Sequence, residues 1–171
     1  MAVTIQSKRL WNKLGITLAS ERPERMKRQG RPVDPEFLPA EKLFRRYQRT
    51  HIVDGVFTGV GLSFDDAPSV NRGKYSEAAD VLFPEAEEEF GGWGVLSWQV
   101  QQIPTSLPEA PEQPRFTIGP KHVPLANNYA HSEIHSVRVN TEAYCEPDKG
   151  IRKILRATLG QRAMIEIEAQ T

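Results

Sequence analysis

Residues 93–103 read WGVLSWQVQQI, an alternation that sets Val95, Ser97, Gln99 and Gln101 on one side of an extended chain and Leu96, Trp98 and Val100 on the other. A period of two with one apolar side is the pattern of a β-strand lying on a core. Gly91, Gly92 and Gly94 around Trp93 suit a tight turn feeding that strand, and no helix follows them, so they do not make a dinucleotide fingerprint. On either side the chain offers partners for the strand. Leu43–Gln48, Ile52–Phe57 and Val60–Phe64 mix aromatic and β-branched residues and are separated by Gly55, Gly59 and Gly61, which predicts hairpins or a meander. Near the end, Ala163–Ala169 alternates apolar and acidic residues and predicts a closing strand.

Helical patterning is sparser. Asp148 is placed to cap a helix over Lys149–Leu159, with Ile151, Ile154, Leu155 and Leu159 as its apolar stripe and Gly160 at its end. Ser76 is placed to cap a short helix over Glu77–Phe83 that Pro84 closes. The fold class expected is therefore α+β: a single domain with a largely antiparallel sheet, one or two short helices packed on it, and an extended N-terminal arm.

The chain has 171 residues, 39% of them hydrophobic and 26% charged, which suits one compact domain and excludes a multidomain machine. Lys plus Arg and Asp plus Glu are each 22, so no global field recruits a polyanion. The charges are nevertheless segregated. Residues 1–32 hold eight basic residues against two acidic, whereas residues 54–90 hold nine acidic against two basic. Pro23, Pro32, Pro35 and Pro39 forbid a continuous helix across the basic segment, although Leu10, Trp11, Leu14 and Leu18 share a helical face ahead of them. We divide the chain into a basic, Pro-rich arm over 1–39 with a short amphipathic helix, and a compact domain over 40–171 containing a Pro-rich loop at 103–124. No apolar run approaches the roughly 18–20 residues of a membrane span, and Lys8, Arg9, Asn12 and Lys13 interrupt any secretory core, so a soluble cytoplasmic protein is expected. The single cysteine, Cys145, excludes an internal disulfide and a cysteine-based zinc site.

Two clusters can carry chemistry. In His131-Ser132-Glu133-Ile134-His135, a strand projects His131, Glu133 and His135 from one face, about 7 Å between successive members. The following Val137 and Val139 favour a strand over a helix. Imidazoles and a carboxylate at this spacing suit three roles: acid/base catalysis with Glu133 orienting one ring, a divalent metal such as zinc with His122 as a further ligand, or a purely structural hydrogen-bonded set. The order is not the HExxH of helical metalloproteases. The second cluster is cationic. Arg45 and Arg46 fall on opposite faces of the first core strand, and one of them requires a partner in Asp65, Asp66 or a bound anion. Arg72 and Lys74 lie in the Ser69–Ser76 segment, whose hydroxyls, cations and following helix suit an anion, without P-loop spacing.

Two functions are expected from different classes. The first is an interaction protein or assembly subunit that binds a protein partner or itself through the arm and the Pro-rich loop, with nucleic acid as a further ligand of the basic arm and no membrane. The second is a small hydrolase or transferase acting on a phosphate-containing substrate such as RNA or a nucleotide. There His131, Glu133 and His135 supply catalysis, and Arg45, Arg46, Arg72 and Lys74 bind substrate. That enzyme requires the arginine-bearing strand, the Ser69–Ser76 loop and the histidine segment to converge in one concave site.

Overall fold

A computed structural model describes residues 22–82, 93–105, 116–138, 141 and 144–169. The amphipathic face at Leu10–Leu18, the acidic run at 85–89 and Val139 lie outside the described residues. The elements are β1 (Lys42–Gln48), β2 (Ile52–Val53), β3 (Val56–Phe57), β4 (Ser69–Arg72), β5 (Trp93–Gln99), β6 (Phe116–His122), β7 (His131–Arg138), α1 (Lys149–Arg162) and β8 (Met164–Ile167), with single 3-10 turns between them. Six strands form one sheet in the order β6-β7-β4-β1-β5-β8, every neighbour antiparallel, and β2 with β3 forms a separate hairpin. This is the α+β architecture expected. No helix among the described residues is long and apolar enough to cross a membrane.

Strand β5 sits inside the sheet, paired along its whole length with β1 from Gln99 opposite Lys42 to Trp93 opposite Gln48. One face carries Leu43, Tyr47, Leu96 and Trp98 together with Val70, Ile118 and Ile134, and Ile151, Leu155 and Leu159 of α1 close over it with Phe57, Leu62 and Phe64. The helix can do this because Asp148 accepts hydrogen bonds from the Gly150 and Ile151 amides, which satisfies its first turn. It runs through Gly160 to Arg162, three residues beyond the expected end at Leu159. Gly160 is needed for close approach instead: a Cβ there would lie 2.7 Å from the Phe57 carbonyl oxygen.

The second face of β1 and β5 is also covered. Phe44 and Val95 pack under Leu82 of the Ala78–Leu82 turn, with Ile167 beside them. Ser97, expected on the polar side, is fully buried there and donates to Glu166, whose carboxylate also pairs with Lys42 at 2.7 Å. A buried hydroxyl keeps its place on a strand when an acceptor reaches it.

Three local expectations need correction. Val60–Phe64 makes no ladder. It threads beneath α1, where Arg156 Nε donates to the Leu62 carbonyl at 2.7 Å. Ser69–Arg72, read as an anion-holding loop, is a strand in the interior of the sheet. Phe116–His122, inside the Pro-rich stretch, is strand β6. Proline is tolerated at position 120 because β6 is an edge strand, where a missing amide leaves no partner short.

The described part of the arm is held on its own domain. Met26 is fully buried, the Tyr129 amide donates to its carbonyl, and the Tyr129 hydroxyl donates to the Pro32 carbonyl. Arg31 stacks its guanidinium 3.7 Å from the Tyr129 ring centroid. Residues 1–21 of the arm lie outside the described residues.

Candidate functional site

Antiparallel pairing places cross-strand partners on the same face of a sheet. Strand β7 aligns Glu133 with Ser69 and Lys121, and His131 with Asn71, so His131, Glu133 and His135 do share one face, as their spacing predicted. His122 aligns with Ser132 and belongs to the opposite face. Its Nε2 bonds the Tyr129 carbonyl at 2.6 Å, and its Nδ1 accepts from the Asp34 amide at 2.9 Å. A ring so used has no lone pair left for a metal, and among the described residues no group of three or more His, Cys, Asp and Glu is arranged to hold one.

Burial lowers the pKa of His122, with the positive Arg72 adding to the effect, and the Tyr129 carbonyl and the charges of Asp34 and Glu41 partly opposing it. The unfolded chain binds a proton near the ordinary imidazole value of about 6.5, and the folded chain does so only at lower pH. Stability should therefore fall as the solution is acidified from about pH 7 through that window. Urea midpoints across this range should decline more steeply for the wild type than for His122→Gln. Equal slopes would assign the loss to other groups.

The trio itself divides along the strand. Glu133 Oε2 lies 2.7 Å from His135 Nε2, and His135 packs edge-on against Tyr144. His131, about 13 Å up the strand by the rise per residue, faces elsewhere. Its Nδ1 lies 2.7 Å from the Val123 carbonyl and its Nε2 lies 3.3 Å from Ser69 Oγ. Glu133 thus orients His135, and a backbone carbonyl orients His131.

His131 borders a cavity of about 420 Å³ that the strand pairing explains. The β1–β4 ladder includes Leu43 with Arg72 and Phe44 with Asn71, and then stops although both strands continue. Beyond that point the strands splay, and the gap is lined by Phe44, Arg45, Arg46, Ser69, Val70 and Asn71. Arg22 from the arm, Val81, Trp93, Leu125 and Asn128 complete the walls with Ser63, Pro68 and His131. Arg45 pairs with neither Asp65 nor Asp66, the two partners expected besides a bound anion; it donates to the Ser69 carbonyl, where the β1–β4 ladder has stopped, and to the Gly61 carbonyl. Asp65 pairs with Arg152.

Arg22, Arg45 and Arg46 line this cavity, and among the described residues no carboxylate does. Burial brings the pKa of Arg45 down to about 10, with Arg46 contributing, so it remains charged near neutrality. Arg22 is lowered in the same way by burial and by Arg46. Arg46 lies 4.9 Å from the Trp93 ring centroid. On the wall, Asn128 is 5% exposed; its Nδ2 donates to Asn71 Oδ1, and its Oδ1 is buried with no hydrogen-bond partner among the described residues. A buried acceptor left in this way costs free energy that a ligand donor would recover.

The other predicted cations do not join them. Arg72 is fully buried on the opposite face, where Nε and Nη2 grip the Glu41 carboxylate at 2.8 and 2.9 Å and Nη1 donates to the Asp34 carbonyl at 2.8 Å. Lys74 pairs with Asp34 at 2.7 Å. Sequence reasoning found Arg45, Arg46 and His131 and missed Arg22, Asn128 and the role of Ser69. The alternation of Ser69, Val70, Asn71 and Arg72 was the available signal, since it puts Ser69 and Asn71 on one side of a strand. No family, curated protein or solved structure matches this chain.

Proposed function

We propose that the protein binds a small phosphate-bearing molecule in the cavity between β1 and β4. The observation that supports this reading is the convergence of Arg45 and Arg46 on one concavity, in whose lining no acidic side chain occurs among the described residues. Like charges gathered in a partly buried place repel one another, and an anion removes that cost while accepting several charge-assisted hydrogen bonds. A volume of about 420 Å³ falls within the span of small-molecule sites, roughly 300–1,000 Å³. The walls beyond the arginines are apolar at Phe44, Val81, Trp93 and Leu125, which suits an organic body attached to the phosphate. The unpartnered Asn128 Oδ1 suits a hydroxyl or amine on that body.

Titration calorimetry with inorganic phosphate and with a nucleoside monophosphate tests the reading. Arg46 is only half-buried, and the contact made by its guanidinium is with the Trp93 face, so Arg46→Gln should leave the unfolding midpoint nearly unchanged. A hydrogen bond to a charged group contributes about 1.5–3 kcal/mol, so affinity should drop by about 10- to 100-fold. Binding should also weaken with added salt. An Arg46→Gln protein that binds both anions as tightly as the wild type would refute the assignment.

A further inference from the structure

We infer that Ser69 and His131 form a nucleophile and general base that cleave phosphomonoesters held in this cavity. The inference rests on the anion-binding reading and adds a reaction to it. Its first support is the tautomer. The Val123 carbonyl, 2.7 Å from His131 Nδ1, can only accept, so the ring proton is on Nδ1. Nε2 then presents its lone pair, and the group opposite is the Ser69 hydroxyl at 3.3 Å, which donates to it. Hydroxyl, imidazole and orienting acceptor in sequence are the arrangement that activates a weak nucleophile. Reach is slightly longer than an ideal O–H···N bond, as is common before substrate is bound.

The orienting acceptor is itself held. Val123 donates its amide to the His131 carbonyl at 3.2 Å, so the residue that orients the ring is also backbone-paired to it at the end of the β6–β7 ladder. Ser69 begins β4 and is exposed, and Arg45 donates to its carbonyl, which fixes a guanidinium beside the nucleophile. Positive charge fixed before reaction is what a phosphoryl group requires as charge builds on its non-bridging oxygens.

In the first step Ser69 Oγ bonds to phosphorus while its proton passes to His131 Nε2. The ester P–O bond breaks, and the departing oxygen takes the proton from Nε2, leaving an alcohol and a phosphoserine. In the second step a water oxygen bonds to phosphorus, Nε2 accepts its proton, the P–Oγ bond breaks and the serine oxygen is reprotonated from Nε2. The sum is ester plus water giving alcohol plus inorganic phosphate, with no change of oxidation state and no co-reactant besides water.

The full chain is assayed with p-nitrophenyl phosphate, and phosphate affinity is measured on the same preparations. Ser69→Ala and His131→Gln are expected to lower kcat by about 100-fold or more, the range of lost acid–base assistance, while phosphate affinity and the unfolding midpoint stay close to wild type. Acid-quenched wild type should yield a phosphorylated peptide containing Ser69, absent from Ser69→Ala. Phosphate binding that depends on Arg46, without turnover, overturns the catalytic inference and leaves the anion site standing. Turnover that survives Ser69→Ala overturns the nucleophile assignment. Hydrolysis of p-nitrophenyl acetate but not of the phosphate overturns the phosphoryl chemistry. Failure to bind phosphate at all overturns the anion site and the inference together.

Discussion

Replacing Arg72 by Ala should destabilise the fold by about 3–5 kcal/mol, the range seen when one member of a buried ion pair is removed. The side chain is fully buried, and the Glu41 carboxylate that it grips is 5% exposed. Removing the guanidinium strands that carboxylate away from water, together with the Asp34 and Glu36 carbonyls to which Arg72 also donates. It also removes the planar cation packed 3.9 Å from the Phe37 ring centroid. Desolvation acts to lower the pKa of Arg72, yet hydrogen bonding and charge from Glu41, with help from Asp34, raise it, so the guanidinium stays charged. Lysine restores the charge but not the two-pronged grip, and Arg72→Lys should recover only part of the loss. Because Arg72 holds Asp34, Glu36 and Glu41 at once, limited proteolysis should cut between 34 and 41 sooner in Arg72→Ala. Urea denaturation is the primary measurement, and a loss below about 1 kcal/mol, the worth of an exposed pair, would contradict the account.

Trp98→Ala should cost a similar amount, about 3–5 kcal/mol. Trp98 is fully buried among Leu43, Leu96 and the apolar face of α1. A second contribution is polar. The helix ends at Arg162, so the Leu159 carbonyl belongs to its last turn, where carbonyls lack intrahelical donors. Trp98 Nε1 donates to it at 2.8 Å, capping the helix from the sheet. Trp98→Phe separates the two contributions: it keeps most of the apolar volume, loses the indole N–H, and should cost about 1–3 kcal/mol through the unsatisfied acceptor. If Trp98→Phe and Trp98→Ala are equally destabilised, the cavity contribution is negligible and the hydrogen bond carries the whole effect. Near the melting temperature of a domain this size, 3–5 kcal/mol corresponds to a fall of about 6–20 °C in Tm.

What could be read from the sequence was what local chemistry dictates. β5 announced itself by alternation, β1 by its aromatic residues and the glycine-punctuated segments after it, α1 by the Asp148 cap and its stripe, and β7 by the valine that follows its histidines. β4 was hidden because its four residues end in an arginine that becomes buried, and only the distant Glu41 makes that burial tolerable. β6 was hidden by Pro120 and Gly119, since nothing local reveals that a strand will occupy a sheet edge. The site followed the same division. The shared face of His131, Glu133 and His135 came from strand periodicity, whereas the pairing of Glu133 with His135 and of His131 with Ser69 depended on which strand lay alongside. Arg45 and Arg46 were correctly set on opposite faces; that both border one cavity depended on the ladder failing where it did.

That failure has a mechanical meaning. With Leu43–Arg72 and Phe44–Asn71 as the seam between β1 and β4, the six strands behave as two three-stranded leaves bound along a short spine, β6-β7-β4 and β1-β5-β8. Arg45 reaches from one leaf to the other as a clasp, closing on the carbonyl of Ser69. An anion wedged in the crease would touch both leaves at once, so its arrival should be felt as slower amide exchange along the spine that borders it.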